Sequence, residues 1–186
     1  MNKTQLREWF RAKLAAQSAT EREQASRVII GRLLASEEYA RAGTIFTYVT
    51  TPQEVDTRGL IEQAWRDGKQ VAVPRLEDDR IVAKCLTAWE ELQPGLFSIP
   101  EPGGNATAID TSNLDLILVP GLAFTCDGAR LGHGRGHFDR WLATLPPSTP
   151  TVGLAFAFQL VDELPHEPHD ICIQKVLTNS YSARND

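Results

Sequence analysis

Arg130-Leu131-Gly132-His133-Gly134-Arg135-Gly136-His137-Phe138-Asp139 brings three kinds of chemistry into one short segment. Glycines at 132, 134 and 136 let the backbone adopt positive φ values and bring its N–H groups close to a ligand. Arg130 and Arg135 offer paired guanidinium donors that match phosphate oxygens. Asp139 adds the hard oxygen ligand that a metal bridging such phosphates would take. Each charge-assisted hydrogen bond contributes roughly 1.5–3 kcal/mol, so a few of them hold a nucleotide. The spacing is neither GxGxxG nor GxxxxGK[ST], so neither the dinucleotide fingerprint nor the Walker loop is present. Taken alone, the alternation also fits a turn that simply needs glycine, and Asp139 also fits a helix cap.

Other reactive side chains carry less. His133 and His137 have the i, i+4 spacing of zinc-binding helices, but glycines between them oppose a helix and no third ligand is near. They read as polar or stacking groups lining the loop. His166 and His169 read as solvated loop residues, and Cys126 lacks a base partner for a nucleophilic role. Cys85, Cys126 and Cys172 are odd in number and far apart, which suits a reducing compartment rather than a disulfide framework.

A glycine loop needs a strand before it and a helix after it. Leu114 to Val119 is a near-continuous apolar run, as in a strand buried on both faces, and Pro120-Gly121 stops it. Thr125 to Gly128 reads as a tight turn, and Phe138 to Leu145 has the apolar spacing of a short helix. Strand, glycine loop and helix in that order point backbone N–H groups at a phosphate.

Upstream, Lys3 to Gln17 carries Leu6, Trp9, Phe10 and Leu14 at helical spacing. Thr20-Glu21-Arg22-Glu23 reads as a capping box for a second helix, whose buried stripe is Val28-Ile29 with Leu33-Leu34. Thr44 to Val49 predicts a strand, Asp56 to Asp67 a helix ended by Gly68, and Gln70 to Val73 a strand closed by Pro74. Ile81 to Leu86 is a weaker strand pattern, and Trp89 to Gly104 reads as mostly irregular. Thr151 to Ala155 and Ile171 to Leu177 read as further strands, joined through the polar segment Leu164 to Asp170. The expected fold is an α/β three-layer sandwich, Rossmann-like, with a largely parallel central sheet. In such folds ligands bind beyond the carboxyl ends of the strands, where the glycine loop, the Thr50–Asp56 loop and Asp170 can converge.

The 186 residues suffice for one domain, 1–186, with a sizeable core. Lys+Arg total 19 against Asp+Glu 24, a net charge of −5 that argues against nucleic-acid or anionic-membrane binding. The first residues lack a signal-peptide core and no run reaches membrane-spanning length, so a cytoplasmic protein is expected, monomeric or a weak homodimer.

With these residues in view, the chain resembles the 5-formyltetrahydrofolate cyclo-ligase family over nearly its whole length. The family signature P-G-x-a-F-x-x-x-G-x-R-L-G-x-G-x-G-a-a-D-R, with a usually aromatic, stands here as PGLAFTCDGARLGHGRGHFDR, with His137 and Phe138 in the last two aromatic positions. Supporting matches are K-x-x-x-R at Lys3 and Arg7, E-x-D-T at Glu54 to Thr57, Gly68-Lys69, Val73-Pro74-Arg75, Ile99 to Pro102 and His169-Asp170. His133, Arg135 and His137 vary the loop's usual side chains, and Gln174 stands where many members have an acid.

The resemblance implies an ATP- and Mg²⁺-dependent ring closure of a small-molecule folate through a phosphorylated formyl group. It implies ATP contacts from Lys3, Arg7 and the run Arg130, Leu131, Gly132, His133, Gly134, Arg135, Gly136, His137 and Phe138. Lys3 and Arg135 would be the catalytic charges at the γ-phosphate, and Asp139 and Asp170 the metal ligands. Glu54, Val49, Phe97, His133, Arg135 and His137 would meet the folate. Read without the family, Lys3 and Arg7 also fit solvated charges on one helical face, Glu54 a cap for the following helix, and Phe97 a core residue. A small-molecule kinase and a non-catalytic nucleotide-binding module on the same fold remain alternatives.

Overall fold

A computed structural model describes residues 1–95 and 99–180; Phe97 lies outside the described residues. Helix α1, Lys3–Ala16, starts at a capping box between Asn2 and Gln5 and buries Phe10 and Leu14. Helix α2, Ala19–Leu34, is capped by Ser18 with Glu21, two residues earlier than the expected Thr20–Glu23 pattern. The Ser18 hydroxyl accepts from Glu21 N while the Glu21 carboxylate takes the Ser18 N–H, satisfying two orphan donors. Its buried face is Ala25, Ile29, Ile30 and Leu33, and Val28 points to solvent. A short helix that the pattern did not signal, α3, Glu37–Arg41, leads into strand β1, Thr44–Phe46.

β1 is shorter than expected because its ladder ends at Thr47 N, which donates to Ala72 O at 2.9 Å. Helix α4, Arg58–Arg66, follows and ends before Gly68, whose φ is 72°. Strand β2, Gln70–Glu77, runs through Pro74 rather than stopping there. Its antiparallel register with β3, Arg80–Cys85, places Pro74 opposite Ala83, and Leu86 N donates to Val71 O. Alternation along the ladder makes Pro74 a non-hydrogen-bonded position on that side, and β1 has already ended on the other. The proline therefore removes no bond.

The segment expected to be irregular contains a 3₁₀ turn at Trp89–Glu91 and a small antiparallel pair, β4, Leu92–Pro94, with β5, Pro100–Pro102. Strand β6, Leu116–Val119, is wholly buried. Then come β7, Ala123–Thr125, β8, Arg130–Leu131, and helix α5, His137–Leu142. Strand β9, Thr151–Ala155, matches its prediction, and β10, Leu160–Val161, pairs with β7. The last strand, β11, is Lys175–Thr178; the preceding Ile173 N bonds instead to Gly128 O.

The main sheet has six strands in the order β11-β9-β6-β1-β2-β3, parallel except for the β3 edge. Alternate residues of its central strand face opposite layers. Leu116 and Leu118 pack with Phe10, Ile29, Leu33, Leu60 and Ile61 of α1, α2 and α4. Ile117 and Val119 pack with Phe46, Phe124, Trp141 and Leu142, where α5 covers the other face. The expected three layers are present. Among the described residues, no helix is long and apolar enough to cross a membrane.

Candidate active site

A cleft of about 1080 Å³ opens beyond the carboxyl ends of β1 and β6, lined by Tyr48 and Val49 after the first and Pro120 after the second. Besides Thr51, Glu54 and Glu101, three segments far apart in sequence supply its polar groups. These are one face of α1, the glycine loop with the start of α5, and the polar segment before β11. All the anticipated site residues line this cleft except Phe97, which is not described.

The glycine loop is shaped by local necessity and by its neighbours. Gly134 and Gly136 have φ of 105° and 68°, and Gly136 is the N-cap of α5. Gly132 needs no positive φ, but a Cβ there would sit 2.8 Å from an Arg130 nitrogen. From the other side, Arg7 Nε donates to Gly132 O at 3.0 Å and Arg11 to His133 O at 3.0 Å. A Cβ on Gly134 would come 3.3 Å from Arg7 Nε, so loop and guanidinium are in close approach.

Lys3, Arg7 and Arg11 follow one another at four-residue spacing, so they form one ridge of α1. Lys3 reaches the third segment: its ammonium lies 2.7 Å from Asp170 and 2.9 Å from Glu167. Burial would lower the Lys3 pKa, but its bonds to the two carboxylates outweigh that and raise it. Burial likewise opposes the Asp170 charge, yet Lys3 and the Glu167 N–H together hold its carboxyl below the usual range. Glu167 is held low by the same lysine. The bland reading of Lys3 and Arg7 as merely solvated charges is therefore not what the fold makes of them.

Arg130 is buried, and one guanidinium nitrogen bonds Pro120 O at 3.1 Å while another bonds Asp139 Oδ1 at 2.8 Å. The same Asp139 oxygen accepts from Ile171 N at 3.4 Å, next to Asp170. Asp139 thus does not cap α5; its carboxylate neutralises a buried arginine and ties the helix to the Asp170 segment. Among the described residues, Arg130 Nε has no hydrogen-bond partner although it is buried. Phe138 turns its ring to Phe46 and Trp141, with centroid distances of 6.3 and 6.1 Å.

Glu54 does not cap α4 either. Its Oε2 accepts from Thr51 N at 2.9 Å and Thr51 Oγ1 at 2.8 Å, while Oε1 lies 3.8 Å from His133 Nε2. His137 sits apart from His133, with its Nε2 at 2.7 Å from Asp79. The two rings thus face different carboxylates, Glu54 and Asp79. His169 is exposed, as expected, and its ring nitrogen lies with ligand atoms of Glu167 and Asp170 inside a 4.8 Å group.

Arg11, Glu167, Asp79 and Arg140 were not anticipated. Arg11 was within reach of pattern, because it extends the Lys3/Arg7 spacing by one more turn. Arg140 lies in α5 at the end of the signature string, whereas Glu167 and Asp79 sit in connections whose partners are set only by the fold.

A parallel α/β sheet, a cleft past its strand ends, and a glycine loop facing a basic helix ridge define a Rossmann-like ligand-binding enzyme architecture. The chain belongs to the 5-formyltetrahydrofolate cyclo-ligase family, whose model matches residues 1–179. It is 30% identical over 189 residues to the 5-formyltetrahydrofolate cyclo-ligase of Mus musculus, covering 92% of this chain and 91% of that protein. With the Escherichia coli (strain K12) cyclo-ligase it shares 34% over 154 residues, 80% of this chain and 85% of the other. The structure of Aquifex aeolicus 5,10-methenyltetrahydrofolate synthetase superposes with a TM-score of 0.87 at 30% identity, covering 96% of this chain and 90% of that one.

Proposed function

We propose that residues 1–186 act as one catalytic unit that converts 5-formyltetrahydrofolate to 5,10-methenyltetrahydrofolate, consuming ATP with Mg²⁺ and releasing ADP and phosphate. The observation that carries this reading is the convergence of the α1 basic ridge, the glycine loop and Glu54 on one cleft, in a chain matched by the cyclo-ligase family over residues 1–179.

The residues fit the nucleotide and the ion. Lys3, Arg7, Arg11, Arg130, Arg135 and Arg140 all line the cleft, so a polyphosphate there meets positive charge from two sides. Among the described residues the buried Nε of Arg130 has no hydrogen-bond partner, and Gly134, with φ of 105° and no side chain, lets the loop backbone come close to a ligand. Asp170 and Glu167 supply hard carboxylate oxygens for Mg²⁺, with Asp139 on the neighbouring segment. Bound there, Mg²⁺ neutralises charge on the phosphates.

A formyl oxygen on an amide nitrogen is a poor leaving group, and phosphorylation cures this. The formyl oxygen bonds to the γ-phosphorus as the bond from that phosphorus to the β-bridging oxygen breaks, and ADP departs. The N10 amine then attacks the activated carbon and loses its proton, and the carbon–oxygen bond breaks to release phosphate. Lys3 and Arg135 hold the charge on the transferring phosphoryl group, with Arg7 and Arg130 on the flanking oxygens. Glu54 Oε2 is occupied by Thr51, which leaves Oε1 to accept pterin N–H donors beside Val49 and His133. The partner is this small molecule, with no nucleic acid or membrane involved, in a cytoplasmic protein that works as a monomer or weak homodimer.

The test is the ultraviolet absorbance of methenyltetrahydrofolate developing from 5-formyltetrahydrofolate with ATP and Mg²⁺. ATP consumption without that chromophore would mark a small-molecule kinase, and nucleotide binding without either would mark a non-catalytic module.

A further inference from the structure

The turn joining β2 to β3 is Asp78-Asp79, and both residues are left-handed, with φ of 47° and 61°. Two-residue hairpin turns of this hand favour glycine at the second position, because an L side chain resists positive φ. Aspartate in that place calls for a reason beyond the turn. Its carboxylate supplies one.

Asp79 Oδ1 lies 2.7 Å from His137 Nε2, and Asp79 Oδ2 accepts from Arg140 at 3.0 Å. The same Arg140 nitrogen lies 3.3 Å from the Asp79 carbonyl, and its other terminal nitrogen donates to Arg135 O at 3.1 Å. A continuous run of contacts therefore connects the hairpin tip, through the first turn of α5, to the trailing half of the glycine loop. The leading half is held separately, by Arg7 and Arg11 on the carbonyls of Gly132 and His133. Between these two anchors, glycines have no side chains with which to fix their own backbone. The loop's conformation is left to what grips it from outside.

We propose that Asp79 is a positioning residue for the nucleotide: the β2–β3 hairpin clasps the Arg135–His137 end of the glycine loop in its phosphate-receiving conformation. This rests on the ATP-binding reading of the cleft. The Asp79 side chain is 78% exposed, and exposed ion pairs add little to global stability, so the effect belongs to local loop order.

Asp79→Gly separates a clasp from an ordinary turn, because it removes the carboxylate and relieves the left-handed backbone together. The expected result is a melting temperature equal to or above wild type. The dissociation constant for a non-hydrolysable ATP analogue should rise about three- to tenfold, as for a loop competent roughly a tenth to a third of the time. Calorimetric affinity for 5-formyltetrahydrofolate should fall much less than that for the analogue, and Asp79→Glu should recover part of the nucleotide affinity. Wild-type analogue binding by a folded Asp79→Gly protein overturns the clasp, and so does an equal loss for both ligands. If the glycine variant fails to fold, Asp79→Asn is judged by the same criteria. If the wild-type protein binds no analogue, the nucleotide reading falls and the clasp with it.

Discussion

Arg7 Nε donates to the carbonyl of Gly132 at 3.0 Å, across 125 residues of sequence. This bond joins the first helix to the loop that the sequence marks most strongly, and it makes the loop's shape a property of two distant segments. Gly134 shows the consequence, since a Cβ there would meet the same guanidinium at 3.3 Å. Gly134→Val should therefore weaken ATP-analogue binding at least tenfold, since a β-branched residue resists φ of 105° and crowds Arg7. Titration calorimetry on the folded variant checks it, and wild-type affinity would refute it.

Arg11 should behave as a positioning residue rather than a catalytic one. Its bond to His133 O lies one step further along the ridge from Arg7. Arg11→Ala should raise the Michaelis constant for ATP roughly threefold to tenfold, about 0.7–1.4 kcal/mol, the range of one hydrogen bond. Turnover at saturating ATP should fall far less. A large drop in turnover with an unchanged constant would place Arg11 in the chemistry instead.

Asp139 offers a sharp separation of roles. As a helix cap it would tolerate asparagine, but the structure pairs it with an Arg130 side chain that is only 3% exposed. Leaving a buried arginine without its counter-charge costs about 3–5 kcal/mol when the partner is removed outright. Asp139→Asn keeps one acceptor, so a loss nearer 2 kcal/mol is expected, which is roughly 4–8 °C in melting temperature for a chain of this size. Thermal melts without metal measure it, and an unshifted melt would show that the pair carries no stability. Kinetics across a magnesium series test the metal role separately: partial recovery at high Mg²⁺ is the expected outcome.

Glu54→Gln should raise the Michaelis constant for the folate and leave that for ATP nearly unchanged. The glutamine oxygen can keep the Thr51 bonds made by Oε2, while the amide nitrogen replaces the acceptor at Oε1 with a donor. Steady-state kinetics varying each substrate in turn decide it. A shift in the ATP constant alone would move Glu54 to the nucleotide side.

The Lys3–Asp170–Glu167 cluster predicts how the docking of α1 responds to pH. Asp170 and Glu167 have lowered pKa values in the fold, so their contribution is present above the ordinary carboxylate range and is lost as pH falls through the lowered values. Lys3 has a raised pKa, so its contribution is full below about 10.5 and is lost as pH rises past the raised value. In metal-free buffer, the stability difference between wild type and Asp170→Asn should be level from about pH 5 to 9. It should shrink on both the acid and the alkaline side. A difference that stays constant down to pH 2 would show that the cluster is not ionised as described.

The sequence by itself determined the layers and the loop. Leu114 to Val119, apolar except for Asp115, suits a doubly buried strand, and its Leu116–Val119 part stands at the centre of the sheet. The three alternating glycines and the four-residue spacing of Lys3 and Arg7 likewise needed nothing beyond local periodicity to be recognised. Strand ends were less legible: Pro74 looked like a stop, and only the register with Ala83 shows that its missing N–H faces no partner. What the tertiary structure decided was which charges meet. Arg130 and Asp139 both looked free to serve a ligand, yet the glycine loop between β8 and α5 folds back and brings them to 2.8 Å, where the carboxylate balances the buried guanidinium. Asp79 carries no motif at all, and Glu167 lies in a connection without periodicity. Each finds its partner only because strands distant in sequence lie side by side in the sheet, and a side chain's charge does not record which loop will stand opposite it.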